Sequence, residues 1–287
     1  MISNKSKEFD LAISSVLSAG KIVREIYDSS FSVSWKAKDD PLTEADIQAN
    51  KEIISRIQNL FPSDGILSEE ITDNKDRLEK SRVWIIDPID GTREFVAKNP
   101  EFSISLGLAI DGKPVLGVVF NPITRELMSG IVGVGVSCNI VGEDLELDTS
   151  TIQLSKMNFA ENVDKPSVYV SRSEFYKYKL FDTNPYWNDS FILKPIGSIA
   201  YKLALTAAGL GDLSLSLKPK SEWDICAGIA LILAAGGMVI DLKNQTDIPF
   251  NALLPRINGI LGGNPFLVKR LIESDGKFFK DSLVDWN

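Results

Sequence analysis

Histidine is missing from all 287 residues of this chain. Its absence removes the Ser-His-Asp triad, the Cys-His pair, phosphohistidine chemistry and histidine-ligated zinc. Any catalysis must then run on carboxylates, hydroxyls, lysines or hard metal ions. Cysteine is almost as scarce. Cys138 and Cys226 are the two present, far apart and in no C-x-x-C spacing. They exclude a disulfide framework and read as small core residues in a reducing compartment. Basic residues are outnumbered, 31 Lys and Arg against 39 Asp and Glu, which leaves a net charge of -8 and a pI near 4.8. That field repels nucleic acid and anionic membranes, so a phosphate-bearing ligand must be received by local cations or metal. No apolar run reaches the length of a membrane span, and none near the N-terminus resembles a signal peptide. The expected location is the cytoplasm, with neither a nucleic acid polymer nor a membrane as partner.

What the chain does contain is ordinary for a globular protein: 44% hydrophobic and 24% charged residues. Apolar residues at helical spacing predict helices over Glu8 to Tyr27 and Glu44 to Leu60, the second with Thr43 as N-cap. Val83 to Asp87 reads as a strand. Phe102 to Ile110 and Val115 to Phe120 flank Asp111-Gly112-Lys113, a hairpin signature. Glycines punctuate a strand-like stretch from Gly130 to Gly142. Beyond it, strands are predicted at Val168 to Val170, Phe191 to Leu193, Leu213 to Leu217, Met238 to Ile240 and Gly259 to Leu261. Helices are expected at Glu174 to Phe181, Ile199 to Ala208, Asp224 to Ala235 and Pro265 to Ile272. Polar residues cluster between 145 and 165, which divides the chain into an α+β half (1–150) and an α/β half (151–287).

The stretch WIIDPIDGTREF, Trp84 to Phe95, carries the chemistry. Charged residues seldom end an apolar run without a reason. Pro88 keeps Asp87 extended at the strand's end, and Asp90-Gly91 turns the chain. The turn places two carboxylates, the Ile89 carbonyl and the Thr92 hydroxyl around one point, the oxygen ligands that hard divalent cations prefer. The helix start at Gly91-Thr92 also offers backbone N–H groups to a phosphate. A plain strand-turn-helix corner would read the same way. Glu69-Glu70 follows apolar Ile66 and Leu67 and is either a solvated acidic turn or a further ligand pair. Asp46, three residues after Thr43, and Asp224, three after Ser221, each suit a helix-capping role as well.

Taken together, Ser68-Glu69-Glu70, WIIDPIDGT, Trp223-Asp224-Ile225-Cys226-Ala227-Gly228 and the upstream PLTEAD resemble the lithium-sensitive, magnesium-dependent phosphatase superfamily. That superfamily comprises the inositol monophosphatases and 3′(2′),5′-bisphosphate nucleotidases. The match runs from about residue 8 to residue 265. The resemblance implies a layered αβαβα sandwich of the α+β class, usually a homodimer, and a phosphomonoesterase using two to three Mg²⁺ ions. It implies that Glu69, Asp87, the Ile89 carbonyl and Thr92 surround the metal that activates water. Asp87, Asp90 and Asp224 would hold a second metal, and a weaker third would lie near Glu69. Asp46 would orient Thr92. Gly91, Thr92, Arg93, Gly197, Ser198 and Lys218 are the substrate-binding candidates, and Lys220 also flanks the approach to Asp224.

Two rivals remain in view. The haloacid-dehalogenase motif D-x-D places one residue between its aspartates, whereas two separate Asp87 from Asp90. A non-catalytic nucleotide-binding protein on the same fold would be expected to have lost one of the metal carboxylates, and none is lost. Within the superfamily, Asp90-Gly91-Thr92-Arg93-Glu94-Phe95 is nearer the nucleotidase form D-G-T-[KR]-E-F than the inositol phosphatase form D-G-T-T-N-F. The expected substrate is therefore 3′-phosphoadenosine 5′-phosphate, with inositol monophosphate as the alternative. Arg93, Arg172, Lys194 and Lys218 are the candidate cations for the second phosphate.

Overall fold

Two long helices, α1 (Lys7–Asp28) and α2 (Glu44–Leu60), bury one face each and form the first layer of the computed structural model. The structure describes residues 3, 6–37, 40–182 and 184–283. A short ribbon, β1 (Val33–Ala37) with β2 (Asp40–Thr43), joins the two helices. Next come β3 (Gly65–Ser68), β4 (Arg82–Asp90), a single turn α3 (Thr92–Val96), β5 (Ser103–Ile110), β6 (Lys113–Asn121), β7 (Glu126–Ile131) and β8 (Gly135–Ile140). The six strands β3 to β8 form one sheet in sequence order. Its β3–β4 pair is parallel and the others are antiparallel. Asp111 and Gly112 connect β5 to β6 with φ of +50° and +73°, the two left-handed residues of a tight hairpin. Phe9, Ile13 and Val16 of α1 and Ile53 and Ile57 of α2 pack against Trp84, Ile86, Leu106 and Phe120 of this sheet.

The second half supplies β9 (Ser167–Ser171), α4 (Tyr186–Ser190), β10 (Ile192–Ile196), α5 (Ile199–Ala207), β11 (Leu213–Ser216), β12 (Lys220–Ser221) and α6 (Glu222–Ala235). It closes with β13 (Met238–Asp241), β14 (Arg256–Ile257), β15 (Ile260–Gly263) and α7 (Pro265–Asp281). Five of these strands make a mixed sheet in the order β10-β9-β11-β15-β13. Helices α5 and α6 lie between the two sheets, with Leu203, Cys226, Ile229 and Ile232 meeting Ile85, Val119 and Met128 on one side and Val239 and Ile260 on the other. Trp187 of α4 and Leu267, Val268 and Phe279 of α7 cover the outer face of the second sheet. The layers are therefore α, β, α, β, α, as the resemblance implied.

Helix α6 is apolar almost all round, from Ile225 to Leu233, because sheets cover it on both sides. It also lies very close to the first sheet. A Cβ on Gly107 would stand 2.6 Å from Cys226 Sγ, and one on Gly117 would run into the Ala227 carbonyl. Glycine at both positions lets the helix seat, and seating it brings Asp224 to the carboxyl end of β4.

Several expectations need correction. Cys138 is exposed on β8; Cys226 alone is a core residue. Glu174 to Phe181 is not one α-helix but a π-type turn (Ser173–Lys177) and a separate 3-10 turn (Leu180–Asp182), with left-handed Lys179 at φ +51° between them. The wide first turn sends Glu174 inward, where it is wholly buried. Helix α7 runs past Ile272 to Asp281, because buried Phe279 anchors its last turns despite the polar 273–277 segment. The β1–β2 ribbon and α4 were not anticipated: both are short and carry no sustained periodicity.

Candidate active site

Strand β4 delivers the first two acidic groups. Its pairing with β5 breaks between Asp87 and Asp90, where Pro88 has no N–H to give the ladder, and Gly91 at φ +99° then turns the chain into α3. Helix α6 brings the third. The carboxylate oxygens of Asp87, Asp90 and Asp224 lie within 4.8 Å of one another. Each residue has one oxygen fixed by a protein donor: Asp87 Oδ1 by Ile89 N–H at 3.0 Å, Asp224 Oδ2 by Ser221 N–H at 2.8 Å. Asp90 Oδ2 accepts from Ser198 Oγ and from Ala200 N–H at the start of α5. The second oxygen of each accepts nothing among the described residues, so three acidic groups, Asp87 and Asp90 buried and Asp224 partly exposed, converge with acceptor capacity to spare.

That arrangement is electrostatically costly. Burial pushes Asp87 far above the ordinary carboxylate range, and Glu69, Asp90, Asp224 and Asp46 push it further. Burial, Asp90 and Glu69 together move Asp224 to about 8. Burial raises Asp90 too, against the donation from Ser198 and Ala200 and the charges of Lys202 and Lys220. A divalent cation would relieve all three at once, and oxygen-only donors suit a hard one. The residues present fit such an ion.

The neighbouring pocket holds about 300 Å³ and is lined by Pro41, Glu69, Ile89, Gly91, Thr92, Arg93, Glu94, Ser173 and Gly197 together with the three aspartates. Thr92 Oγ1 lies 3.1 Å from both Asp46 Oδ1 and the Ile89 carbonyl. Asp46 Oδ2 meanwhile accepts from Thr43 N–H at 2.8 Å and Thr43 Oγ1 at 2.6 Å. Asp46 is thus at once the cap of α2 and the holder of Thr92, and Asp224 likewise caps α6 while facing the cluster. Burial raises the Asp46 carboxyl.

Other candidates fall less centrally. Ser198 is buried and serves Asp90. Lys218 stacks over the Tyr178 ring, 3.7 Å from its centroid, and is not among the pocket's lining residues. Arg172 is committed to Glu101 through two hydrogen bonds of 2.8 and 2.5 Å. Lys194 donates to the Leu210 carbonyl at 3.3 Å, in the loop before β11. Of the four cations named for a second phosphate, Arg93 lines the pocket.

The sequence profile of the inositol monophosphatase family matches residues 4–277. The chain belongs to the inositol monophosphatase family. It is accordingly a phosphoric monoester hydrolase acting on small phosphorylated substrates. Family relatives include inositol monophosphatase 2 of Solanum lycopersicum, 33% identical over 81% of this chain and 86% of that one. The 3′(2′),5′-bisphosphate nucleotidase CysQ of Salmonella typhimurium is 32% identical over 79% and 88%. The Nus factor SuhB of Escherichia coli is 29% identical over 96% and 97%. Among solved structures, an IMPase of Thermotoga maritima superposes with a TM-score of 0.77 at 24% identity, covering 96% of this chain and 98% of that one. That likeness bears on the fold.

Some site residues gave no sequence signal. Lys36, on the β1 ribbon, places its ammonium 2.8 Å from Glu69 and 2.6 Å from Glu70, and those carboxylates hold its pKa up. Burial lifts Glu70 to about 7 even so. Lys202, whose charge is felt at Asp90, is wholly buried and donates to Ser171 Oγ at 2.8 Å. Burial pulls it down to about 7, against the attraction of Glu174. Glu174 accepts from Leu217 N–H at 2.9 Å and Lys218 N–H at 3.2 Å and lies 3.6 Å from Lys220. Only the tertiary contacts distinguish these from surface lysines and glutamates.

Proposed function

We propose that this family member is a Mg²⁺-dependent phosphomonoesterase that removes the 3′-phosphate of 3′-phosphoadenosine 5′-phosphate by direct attack of water. The observation that carries the metal dependence is the convergence of Asp87, Asp90 and Asp224, each with one carboxylate oxygen oriented by the protein and the other without a donor among the described residues. Asp87, Asp90 and Asp224 would hold one ion, and Glu69, Asp87, the Ile89 carbonyl and Thr92 another. Bound there, Mg²⁺ supplies stabilisation of the charge on the phosphoryl and leaving oxygens and makes water more acidic.

The chain's own residues manage the proton. Thr92 lines the pocket, and its Oγ1 is oriented by Asp46. As water attacks phosphorus, Thr92 accepts its proton and passes its own to Asp46, whose burial-raised carboxylate is a better base than an exposed one. Asp46 is itself steadied by Thr43, so the acceptor stays aligned with Thr92.

The nucleotide reading rests on Arg93-Glu94 after Asp90-Gly91-Thr92 and on Arg93 lining the pocket, where it can meet a second phosphate. Inositol monophosphate is the second reading, favoured by the 33% identity to a tomato inositol monophosphatase. A side-by-side kcat/KM comparison of the two substrates in Mg²⁺, with excess EDTA as control, tests both points. Preference for the nucleotide, abolished by EDTA, is expected. Preference for inositol 1-phosphate would overturn the substrate assignment, and turnover in EDTA would overturn the metal.

A further inference from the structure

Glu94 forms part of the pocket wall between the Arg93 side and Gly197. Its side chain lies flat against Gly197: a Cβ there would stand 2.5 Å from Glu94 Cδ and 2.7 Å from Oε1. The backbone at Gly197 cannot give way easily. Gly197 N–H donates to Glu101 Oε2 at 3.0 Å and Ser198 N–H to the Glu101 carbonyl at 3.1 Å, while Arg172 holds Glu101 from the other side. The absence of a side chain at 197 is therefore what lets the Glu94 carboxylate occupy the wall.

Once there, Glu94 has no side-chain donor among the described residues; its own backbone N–H is its hydrogen-bond partner. Asp90 and Glu101 add negative charge nearby, and Arg93 adds positive charge. A half-buried carboxylate so placed repels an anionic group and attracts a neutral donor. The pocket, at about 300 Å³, is at the small end for ligand sites. It has room for a phosphate and the ring that bears it, so the donor that reaches Glu94 must sit close to the phosphate.

We infer that Glu94 is a specificity-determining residue whose carboxylate accepts a hydrogen bond from a substrate hydroxyl on the carbon next to the phosphate-bearing carbon. The inference rests on the phosphomonoesterase reading and deepens it. It holds for either proposed substrate, since a ribose 3′-phosphate carries a 2′-hydroxyl and inositol 1-phosphate carries ring hydroxyls on both flanking carbons. It also separates two roles in adjacent residues: Arg93 meets negative charge, and Glu94 meets a hydroxyl.

The test compares kcat/KM for 3′-phosphoadenosine 5′-phosphate and its 2′-deoxy form, and for inositol 1-phosphate and its 2-deoxy and 6-deoxy forms, all in Mg²⁺. The wild-type chain is expected to favour a hydroxyl-bearing substrate by roughly ten- to hundredfold, the range for a hydrogen bond to a charged group. Glu94→Ala should bring that ratio close to one, and Glu94→Gln, which still accepts, should restore part of it. Gly197→Ala retains the charge but displaces it, and should also lower the ratio. A ratio near one in the wild type, or one unchanged in Glu94→Ala because both members of a pair fall equally, overturns the inference. Absence of phosphate release from every monoester is a different result: it overturns the phosphatase reading and this inference with it.

Discussion

Replacing Asp224 by Asn should stabilise the metal-stripped protein while destroying the active one. The Asp224 carboxyl is moved from 3.8 to about 8 by burial and by the charges of Asp90 and Glu69. A carboxyl raised in the fold makes its cost felt above its unfolded value. Below about pH 4 both states are protonated and nothing is lost. Between there and about pH 8 the folded chain holds a proton that the unfolded chain releases, so stability falls as pH rises. At ~1.4 kcal/mol per unit the penalty at pH 7 has a ceiling of about 4 kcal/mol. Asp224 keeps a partly exposed edge on the pocket, and solvent screening there brings the expected gain to roughly 2–3 kcal/mol. Asn keeps the side-chain oxygen that accepts from Ser221 N–H at 2.8 Å, so the cap of α6 survives. For a chain of this size about 2 °C accompanies each kcal/mol, which gives ~4–6 °C in melting temperature. The assay is a set of thermal melts in EDTA from pH 5 to pH 8. The Asn variant should melt above wild type by a margin that widens with pH. In Mg²⁺ the order should reverse, because wild type gains the binding energy and the variant loses most of it. A margin that is absent in EDTA, or constant across pH, would refute the electrostatic account of the site.

Other expectations follow from the same geometry. Asp87→Asn and Asp90→Asn should each abolish turnover while far-UV circular dichroism stays unchanged; retained activity in either would remove that residue from the ligand set. Thr92→Val should lower kcat by ~10²–10⁴ with little change in KM, the range for a lost proton-transfer group, and a change confined to KM would reassign Thr92 to binding. Lys202 titrates at about 7 in the fold and 10.5 unfolded. The unfolded chain binds the extra proton between those values, so this residue's cost shrinks as pH rises. The stability difference between wild type and Lys202→Met, measured by urea denaturation, should therefore shift in favour of wild type by up to ~1.4 kcal/mol per unit from pH 7 to 10; a difference independent of pH would contradict it. Inhibition by millimolar Li⁺, implied by the family resemblance, should weaken in Asp224→Glu if the ion lodges against that carboxylate, and an unaltered dose response would place it elsewhere.

The amino-acid sequence by itself determined the elements whose cause is local. The α2 boundaries at Glu44 and Leu60 follow from apolar spacing and the Thr43 cap, and the Asp111-Gly112 hairpin follows from two residues that tolerate positive φ. Asp87, Ile89, Asp90 and Thr92 are likewise local, since one turn of chain brings them together. Tertiary structure decided what depends on distant partners. Asp224 reaches Asp87 and Asp90 because α6 seats on Gly107 and Gly117, more than a hundred residues upstream. Asp46 and Asp224 each looked like either a cap or a site residue, and the fold gives both roles to each: Asp46 caps α2 with Oδ2 and holds Thr92 with Oδ1, while Asp224 accepts from Ser221 N–H and lies in the cluster with Asp87 and Asp90. Burial, which no short window encodes, separated Lys202 and Glu174 from the surface lysines and glutamates they resemble, and set Lys218, Arg172 and Lys194 on other partners. Hydrogen bonding within a turn is written in neighbouring residues, whereas desolvation and charge coupling depend on whatever the folded chain brings alongside.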